Sequence, residues 1–351
     1  MLKYYFIDQN QSLKFALNCL NNNPDKCLVV QNKNKKLLGT LTDGDIRRSI
    51  IKGLDFQDKI NNIYNKKPFY INIDNKKKLK VTKQLLQNYS VIPIINKEKK
   101  IIDLKSKNLD KTGFKQQNLS KIDLRNIPVV IMAGGEGKRL LPHTTILPKP
   151  LMPYKGKSLA EHIISRFQEY GLNNFLITIK YKSNLMRAYF SHLYKKMKIK
   201  FIYEKNSLGT AGSLRNIDFK KNELIFVINC DTLIRCDYIS LLNFHIENKN
   251  DLTLVVSKKK QIFNYGSCLV HKNGTLKKIV EKPSTTHLAN TGLYIINKKS
   301  LKNIVKNEKI GMDEFIDILL KKKYKVGVFP IDEDEWQDLG TLDEFLLQDR
   351  S

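Results

Sequence analysis

Val129-Val130-Ile131-Met132-Ala133-Gly134-Gly135-Glu136-Gly137-Lys138-Arg139-Leu140 decides the fold of most of this chain. Four apolar residues read as a short buried strand, and a glycine-rich turn follows at once. Three glycines in four positions let the backbone bend tightly and approach a ligand closely. The N–H groups of Ala133, Gly134, Gly135 and Gly137 can then hold phosphate oxygens, and Lys138 and Arg139 add charge where those phosphates would lie. The run is neither GxxxxGK[S/T] nor GxGxxG, because Leu140 stands where the last glycine would fall. On its own it also suits a plain strand-to-helix turn with incidental cations.

Working outward, Leu147-Pro148-Lys149-Pro150-Leu151-Met152-Pro153 sets one lysine between two prolines, which stiffen the backbone that presents it. A rigidly held ammonium suits a phosphate that must stay in place through a reaction. Strands at 129–132, 175–179, 200–203 and 224–229 alternate with helices near 158–170, 184–196 and 210–216. Ser158 is the expected N-cap and Gly171 the expected C′ residue of the first helix. This alternation predicts an α/β fold, a Rossmann-like and mostly parallel sheet with helices on both faces. Ligands in such sheets bind beyond the carboxyl ends of the strands. Asp231 lies there, just after the strand LIFVIN (224–229), and Asp338 follows the single tryptophan in a turn before a C-terminal helix. Two carboxylates from distant segments suit one Mg²⁺ that keeps positions for phosphate oxygens and water. A helix N-cap for Asp231 and an Asx turn for Asp338 are the plainer alternatives.

Residues 1–104 read as two similar passages. The first has a helix at 13–20, strands at 27–30 and 37–41, and a helix at 45–51. The second has a strand at 70–73, a helix at 78–88, and strands at 91–95 and 101–104. Tandem units of this kind point to an internal repeat. Lys105–Asn126 reads as a linker, so the expected organisation is an α+β pair over 1–108, a linker over 109–126 and the α/β domain over 127–351.

Composition excludes several classes. Hydrophobic residues make up 41% of 351, as in globular proteins. No apolar run reaches the roughly 18 residues of a membrane helix, and no signal peptide is seen, so a cytoplasmic location is expected. Five scattered cysteines without a CxxC pair read as thiols in a reducing compartment. The net charge of +28 comes from lysines spread along the whole chain and mixed with asparagine. That pattern reads as background bias rather than a nucleic-acid stripe.

GGEGKRLLPHTTILPKPLMP resembles the signature of the sugar-phosphate nucleotidyltransferases, GGxGxRLxPxTxxxPKPLxP. The resemblance extends over 128–351. LGTAGSL (208–214), Asn229-Cys230-Asp231, Glu281-Lys282-Pro283, Asn290-Thr291-Gly292-Leu293-Tyr294 and Trp336-Gln337-Asp338-Leu339-Gly340-Thr341 follow in the family's order. It implies a GT-A-like domain in which Asp231 and Asp338 hold Mg²⁺ and Arg139, Lys149, Asp231 and Lys282 are catalytic. Nucleotide contacts would come from Ala133, Gly134, Gly135, Gly137, Lys138, Glu204, Gly209, Thr210, Ala211 and Gly212, the last four bringing backbone amides to the base. Tyr265, Gly266, Glu281, Asn290, Thr291 and Gly292 would line the sugar pocket. Lys138 stands where the family often has Thr, and Leu141 where it often has Arg.

Glu204 before LGTAG is closer to guanylyl and adenylyl members than to thymidylyl ones, so GTP is the expected nucleotide. The reaction implied is attack of a sugar 1-phosphate on the α-phosphorus, with pyrophosphate leaving. Gly39-Thr40-Leu41-Thr42-Asp43-Gly44-Asp45 resembles a CBS motif, in which Thr42 and Asp45 would contact an adenine nucleotide. The second passage lacks the matching T-x-x-D, so regulation by a nucleotide and a structural role in pairing both stand. CBS ahead of this transferase is similar to guanylyltransferases acting on glucosamine 1-phosphate for legionaminic acid, with mannose- and heptose-1-phosphate enzymes as alternatives. A homo-oligomer is expected, without nucleic-acid or membrane partners. A catalytically inactive nucleotide sensor is the reading from a different class.

Overall fold

The computed structural model describes residues 4–75, 82–106, 108, 126–193, 198–204, 206–219 and 222–340. The chain divides into two units, Met1–Lys121 and Ile122–Ser351. Most of the expected linker, and the helix expected after Asp338, lie outside the described residues.

In the first unit β1 (Phe6–Asp8) runs parallel to β2 (Cys27–Gln31), and β3 (Leu37–Thr42) returns antiparallel. The second passage repeats this order with β4 (Ile71–Asn72), β5 (Val91–Ile95) and β6 (Ile101–Ser106). Even the irregularity repeats, since the ladder slips between Val30 and Gln31 and again between Ile94 and Ile95. The turns share one chemistry. Asn32 Oδ1 accepts from the amides of Asn34 and Lys36, and Asn96 Oδ1 accepts from those of Glu98 and Lys100. Asparagine is suited to such Asx turns. The two hairpins then exchange reciprocal bonds, Leu37 N to Lys99 O at 2.9 Å and Ile101 N to Lys35 O at 3.0 Å. Tyr5, Cys27, Val29, Val91 and Leu104 form a core that neither passage builds alone. The expected helix over 78–88 is described from Thr82 to Leu85.

The second unit is built on a seven-stranded sheet of order β11-β10-β7-β12-β17-β14-β18. These strands are β7 (Pro128–Met132), β10 (Asn174–Ile179), β11 (Lys198–Tyr203), β12 (Leu224–Asn229), β14 (Leu252–Ile262), β17 (Ser284–Asn297) and β18 (Val326–Ile331). Four of the six pairings are parallel, so the sheet is mostly parallel. β7 is buried along its whole length, which is why it reads as an unbroken apolar run. Short pairs complete the unit: β8 (Pro153–Tyr154) with β9 (Lys157–Ser158), β13 (Thr232–Ile234) with β19 (Trp336–Asp338), and β15 (Ser267–Val270) with β16 (Leu276–Val280).

The helix Leu159–Glu169 starts on a capping box in which Ser158 and Glu161 satisfy each other's backbone amides. It stops at Gly171, whose φ of +81° suits a C′ glycine. Leu159, Ile163 and Phe167 are buried; Phe167 meets Phe226 of the sheet edge-on at 5.4 Å, and Leu159 packs with Leu140, Met152, Tyr154 and Leu339. Truncating Phe167 would cost about 3–5 kcal/mol. Where one helix is expected at 210–216, the chain makes a single α-turn, Gly209–Gly212, and then a 3₁₀ turn, Ser213–Asn216. The cause is tertiary: the backbone of residues 308–310 presses on this segment. A Cβ on Gly209 would stand 2.3 Å from Ile310 O, and one on Gly212 would stand 2.4 Å from Glu308 O.

Candidate active site

The carboxyl ends of β7, β10, β11 and β12 bring the glycine loop, Glu204 and Asp231 to one edge of the sheet. Asp231 sits between β12 and β13, and β13 pairs with β19 so that Thr232 lies opposite Asp338. Two further bonds fix this union: Leu339 N donates to Asp231 O at 2.8 Å, and Trp336 Nε1 donates to Thr232 Oγ1 at 2.8 Å. Segments more than a hundred residues apart are thus held in one register, and both carboxylates converge.

Gly340 marks where they converge. A Cβ there would lie 2.8 Å from Asp338 Oδ1, 3.0 Å from Asp231 Oδ2 and 3.4 Å from Arg139 Nη2. The missing side chain lets two carboxylate oxygens come this close, with Asp338 Oδ1 accepting from Gly340 N at 2.8 Å in an Asx turn. That donor set fits a hard divalent cation such as Mg²⁺, which takes oxygen ligands and keeps several of its positions for water and phosphate. Among the described residues no cluster of three or more His, Cys, Asp or Glu offers an alternative metal site. Nothing local in Trp336-Gln337-Asp338-Leu339-Gly340-Thr341 marks Gly340 as part of the site.

Lys149 is presented by the 3₁₀ turn Lys149–Leu151, which follows Pro148 and carries Pro150. Its side chain is 8% exposed, and Nζ donates to Asp231 Oδ2 at 2.5 Å and to Gly340 O at 3.4 Å. Arg139 reaches the same Asp231 oxygen at 3.6 Å from a largely exposed position. One carboxylate therefore gathers two cations. Cys230 beside it is buried, which pushes its thiol up to about 12.

The glycine loop differs in one respect from the expectation. The amide of Ala133 is not available to a phosphate, since it donates to Thr178 Oγ1 at 3.0 Å. Gly135 opens onto empty space, and Gly137 holds φ +68° with Thr144 and Lys149 pressed against it. Lys138 is exposed and lies 3.3 Å from Glu136. Gly134 abuts the Glu204 carboxylate, where a Cβ would fall 2.9 Å from Oε2. Burial raises the Glu204 pKa, and the Thr178 hydroxyl partly offsets the shift. Thr178 thus ties the loop to Glu204, a role with no local sequence signal.

LGTAG also needs correction. The amides of Ala211 and Gly212, expected at a base, both donate to Ile310 O, at 3.1 and 3.3 Å. Thr210 Oγ1 accepts from Met312 N at 2.9 Å. The motif anchors residues 308–312.

Of the sugar-pocket candidates, Tyr265 is 72% exposed. Gly266 lies against Glu281, its virtual Cβ 3.1 Å from Oε2. Lys282 follows with φ +45°. Asn290 donates to Tyr294 OH at 2.7 Å and accepts from Gly292 N at 3.2 Å. Gly292, at φ +84°, leaves room for Asn229, two residues from Asp231. Thr291 is buried and donates to Val255 O at 2.9 Å, so its hydroxyl serves the sheet rather than a sugar. In the first unit Thr42 and Asp45 form the capping box of the helix Asp43–Ile51, and Arg48 Nη2 pairs with Asp45 Oδ1.

A mostly parallel sheet, a glycine loop at its carboxyl edge and two convergent carboxylates define a nucleotide-handling transferase. Residues 128–350 match the family described as nucleotidyl transferase, and the chain belongs to it. Residues 1–52 match the CBS domain. The mannose-1-phosphate guanylyltransferase catalytic subunit beta of Drosophila melanogaster is 29% identical over 226 residues, covering 62% of this chain and 60% of the relative. The chain thus spans about three fifths of that relative's length. D-glycero-alpha-D-manno-heptose 1-phosphate guanylyltransferase of Campylobacter jejuni is 28% identical over 219 residues, 62% of this chain and 96% of the relative. The crystal structure of HddC from Yersinia pseudotuberculosis superposes with a TM-score of 0.52 at 25% identity, covering 64% of this chain and 98% of that one. No helix among the described residues is long and apolar enough to cross a membrane.

Proposed function

We propose that this chain transfers a guanylyl group from GTP to a sugar 1-phosphate. The observation that carries the reading is the convergence of Asp231, Asp338, Lys149 and Arg139 around Gly340. An oxygen of the sugar 1-phosphate attacks the α-phosphorus. The bond from that phosphorus to the bridging oxygen breaks, and pyrophosphate leaves with the electron pair. No side-chain nucleophile is required, because positioning and charge neutralisation supply the catalysis.

Asp231 and Asp338 would hold Mg²⁺, which when bound would offset charge on the phosphates. Arg139, Lys138 and the amides of Gly134, Gly135 and Gly137 would receive the departing pyrophosphate. Lys149 and Lys282 would reduce the repulsion between the two anions. Glu204, beside Gly134, has the acceptor oxygens that guanine's N1–H and amino group need. The relatives that act on mannose and heptose 1-phosphates support a manno-configured sugar. The resemblance of a CBS unit ahead of such a transferase to glucosamine-1-phosphate guanylyltransferases keeps glucosamine 1-phosphate as a second reading.

Pyrophosphate release with each nucleoside triphosphate against mannose, heptose and glucosamine 1-phosphates tests both readings. Turnover with GTP and one of these sugars supports the assignment and selects between them. Silence across the panel, also with AMP or ATP added to engage the CBS unit, refutes it in favour of a sensor.

A further inference from the structure

β19 carries Asp338, yet it is three residues long and pairs with β13 alone, in a two-stranded sheet separate from the large one. So short a pair does not hold its geometry in water by its ladder alone. Side chains must help to keep Asp338 in place, and two of them meet at Trp336.

The first brace is the indole. Trp336 stands opposite Ile234, and Thr232 stands opposite Asp338. The bond from Trp336 Nε1 to Thr232 Oγ1 therefore runs diagonally across the pair, from two residues before Asp338 to the residue after Asp231. Thr232 is buried, so water does not compete for its hydroxyl. The second brace comes from the large sheet. Lys259 lies in the outer half of β14, and its Nζ stands 5.1 Å from the centroid of the Trp336 ring. The same ammonium pairs at 2.9 Å with Glu333, in the 3₁₀ turn Glu333–Glu335 that leads into β19. Lys259 thus grips the turn and the first residue of β19 together, and ties the small sheet to the large one. Both members of the ion pair are about half exposed, so it adds little to global stability. Its effect is on local geometry.

We propose that Trp336 and Lys259 are positioning residues for the cation, bracing β19 so that Asp231 and Asp338 keep the spacing a divalent ion requires. The inference rests on the reading that these two carboxylates hold Mg²⁺. Because Mg²⁺ accepts little error in the placement of its oxygens, a looser β19 shows first as weaker cation binding. Neither residue has to touch metal or substrate to act in this way.

Trp336 is the single tryptophan of the chain, which makes the brace its own reporter. A paramagnetic Mn²⁺ ion held by Asp231 and Asp338 should quench its emission, and Mn²⁺ alone, added to the full chain, is the probe. Thr232→Val keeps the shape but removes the acceptor. It should raise the Mn²⁺ dissociation constant about tenfold, the usual effect of losing one buried hydrogen bond. Thr232→Ser should restore the affinity. Lys259→Met should raise the constant about three- to fivefold, as loss of a cation–π contact at a partly exposed site does, with the melting temperature nearly unchanged. Both braces act through one ring, so the double variant should bind little worse than Thr232→Val alone. If Asp231→Asn abolishes quenching while Thr232→Val and Lys259→Met leave the affinity unchanged, the proposal is overturned and the cation reading stands. A lowered melting temperature with unchanged affinity also overturns it, by making these contacts structural only. Absence of quenching in the wild type, or quenching that survives Asp231→Asn, sinks the cation reading and this inference with it.

Discussion

Replacing Gly340 by alanine tests the reading of the active site with a single methyl group. Its new Cβ would lie 2.8 Å from Asp338 Oδ1 and 3.0 Å from Asp231 Oδ2, closer than carbon and oxygen normally approach. Both carboxylates must move apart by several tenths of an ångström, which shifts both proposed ligands of the cation. Mg²⁺ tolerates little distortion, since it demands near-octahedral geometry with oxygens at about 2.0–2.1 Å. Misplacing reacting groups by about 1 Å costs on the order of a hundredfold in rate. Gly340→Ala should therefore lower kcat/KM about a hundredfold, equivalent to about 2.7 kcal/mol of transition-state stabilisation. The assay is pyrophosphate release over a Mg²⁺ titration, alongside a thermal melt. The expected variant melts near wild type and regains only part of its activity at high Mg²⁺. Turnover within about threefold of wild type at low Mg²⁺ would refute the argument.

Other outcomes follow from the same geometry. Asp231→Asn should lower turnover on the order of a thousandfold. It should also lower Tm, because buried Lys149 loses its countercharge; equal Tm values would contradict the pairing. Burial raises the Glu204 pKa, so the carboxyl protonates at higher pH than an ordinary one. GTP affinity should weaken as pH falls through that raised value, and Glu204→Gln should flatten the profile in binding titrations. His245 is buried against Thr253 and Asn297, and burial lowers its pKa below 6.5. The unfolded chain then takes up a proton on acidification before the folded one does. Stability present above pH about 6.5 should be lost as pH falls through the lowered value. Denaturant melts of His245→Gln should lack that contribution.

Much of this molecule was legible because its signals are local. β7 is covered on both faces and so reads as unbroken apolar text. Ser158 and Glu161 stand three residues apart and announce a helix start. The repeat shows in the matched turns at Asn32 and Asn96. Local text failed where a group's partner comes from far along the chain. The amide of Ala133 goes to Thr178, and those of Ala211 and Gly212 go to Ile310. Nothing near those residues indicates that their amides are already bonded. The antiparallel pair β14–β17 escaped for a related reason. Its outer half, Lys258–Ile262 against Ser284–Leu288, is largely solvated and lacks the apolar pattern that marks a buried strand.

The pairing of β13 with β19 also sets a schedule for the newborn chain. Asp231 leaves the ribosome 107 residues before Asp338. At about 5–20 residues per second, roughly 5–20 s separate them. Through that interval the sheet edge can form around Asp231 while Lys149 holds its carboxylate, but half of the proposed cation seat has not been made. A nascent chain in which β19 has not paired with β13 would lack one of the two carboxylates proposed to hold Mg²⁺. On the proposed reading, competence waits for β13 to meet β19 instead of growing with the rest of the fold.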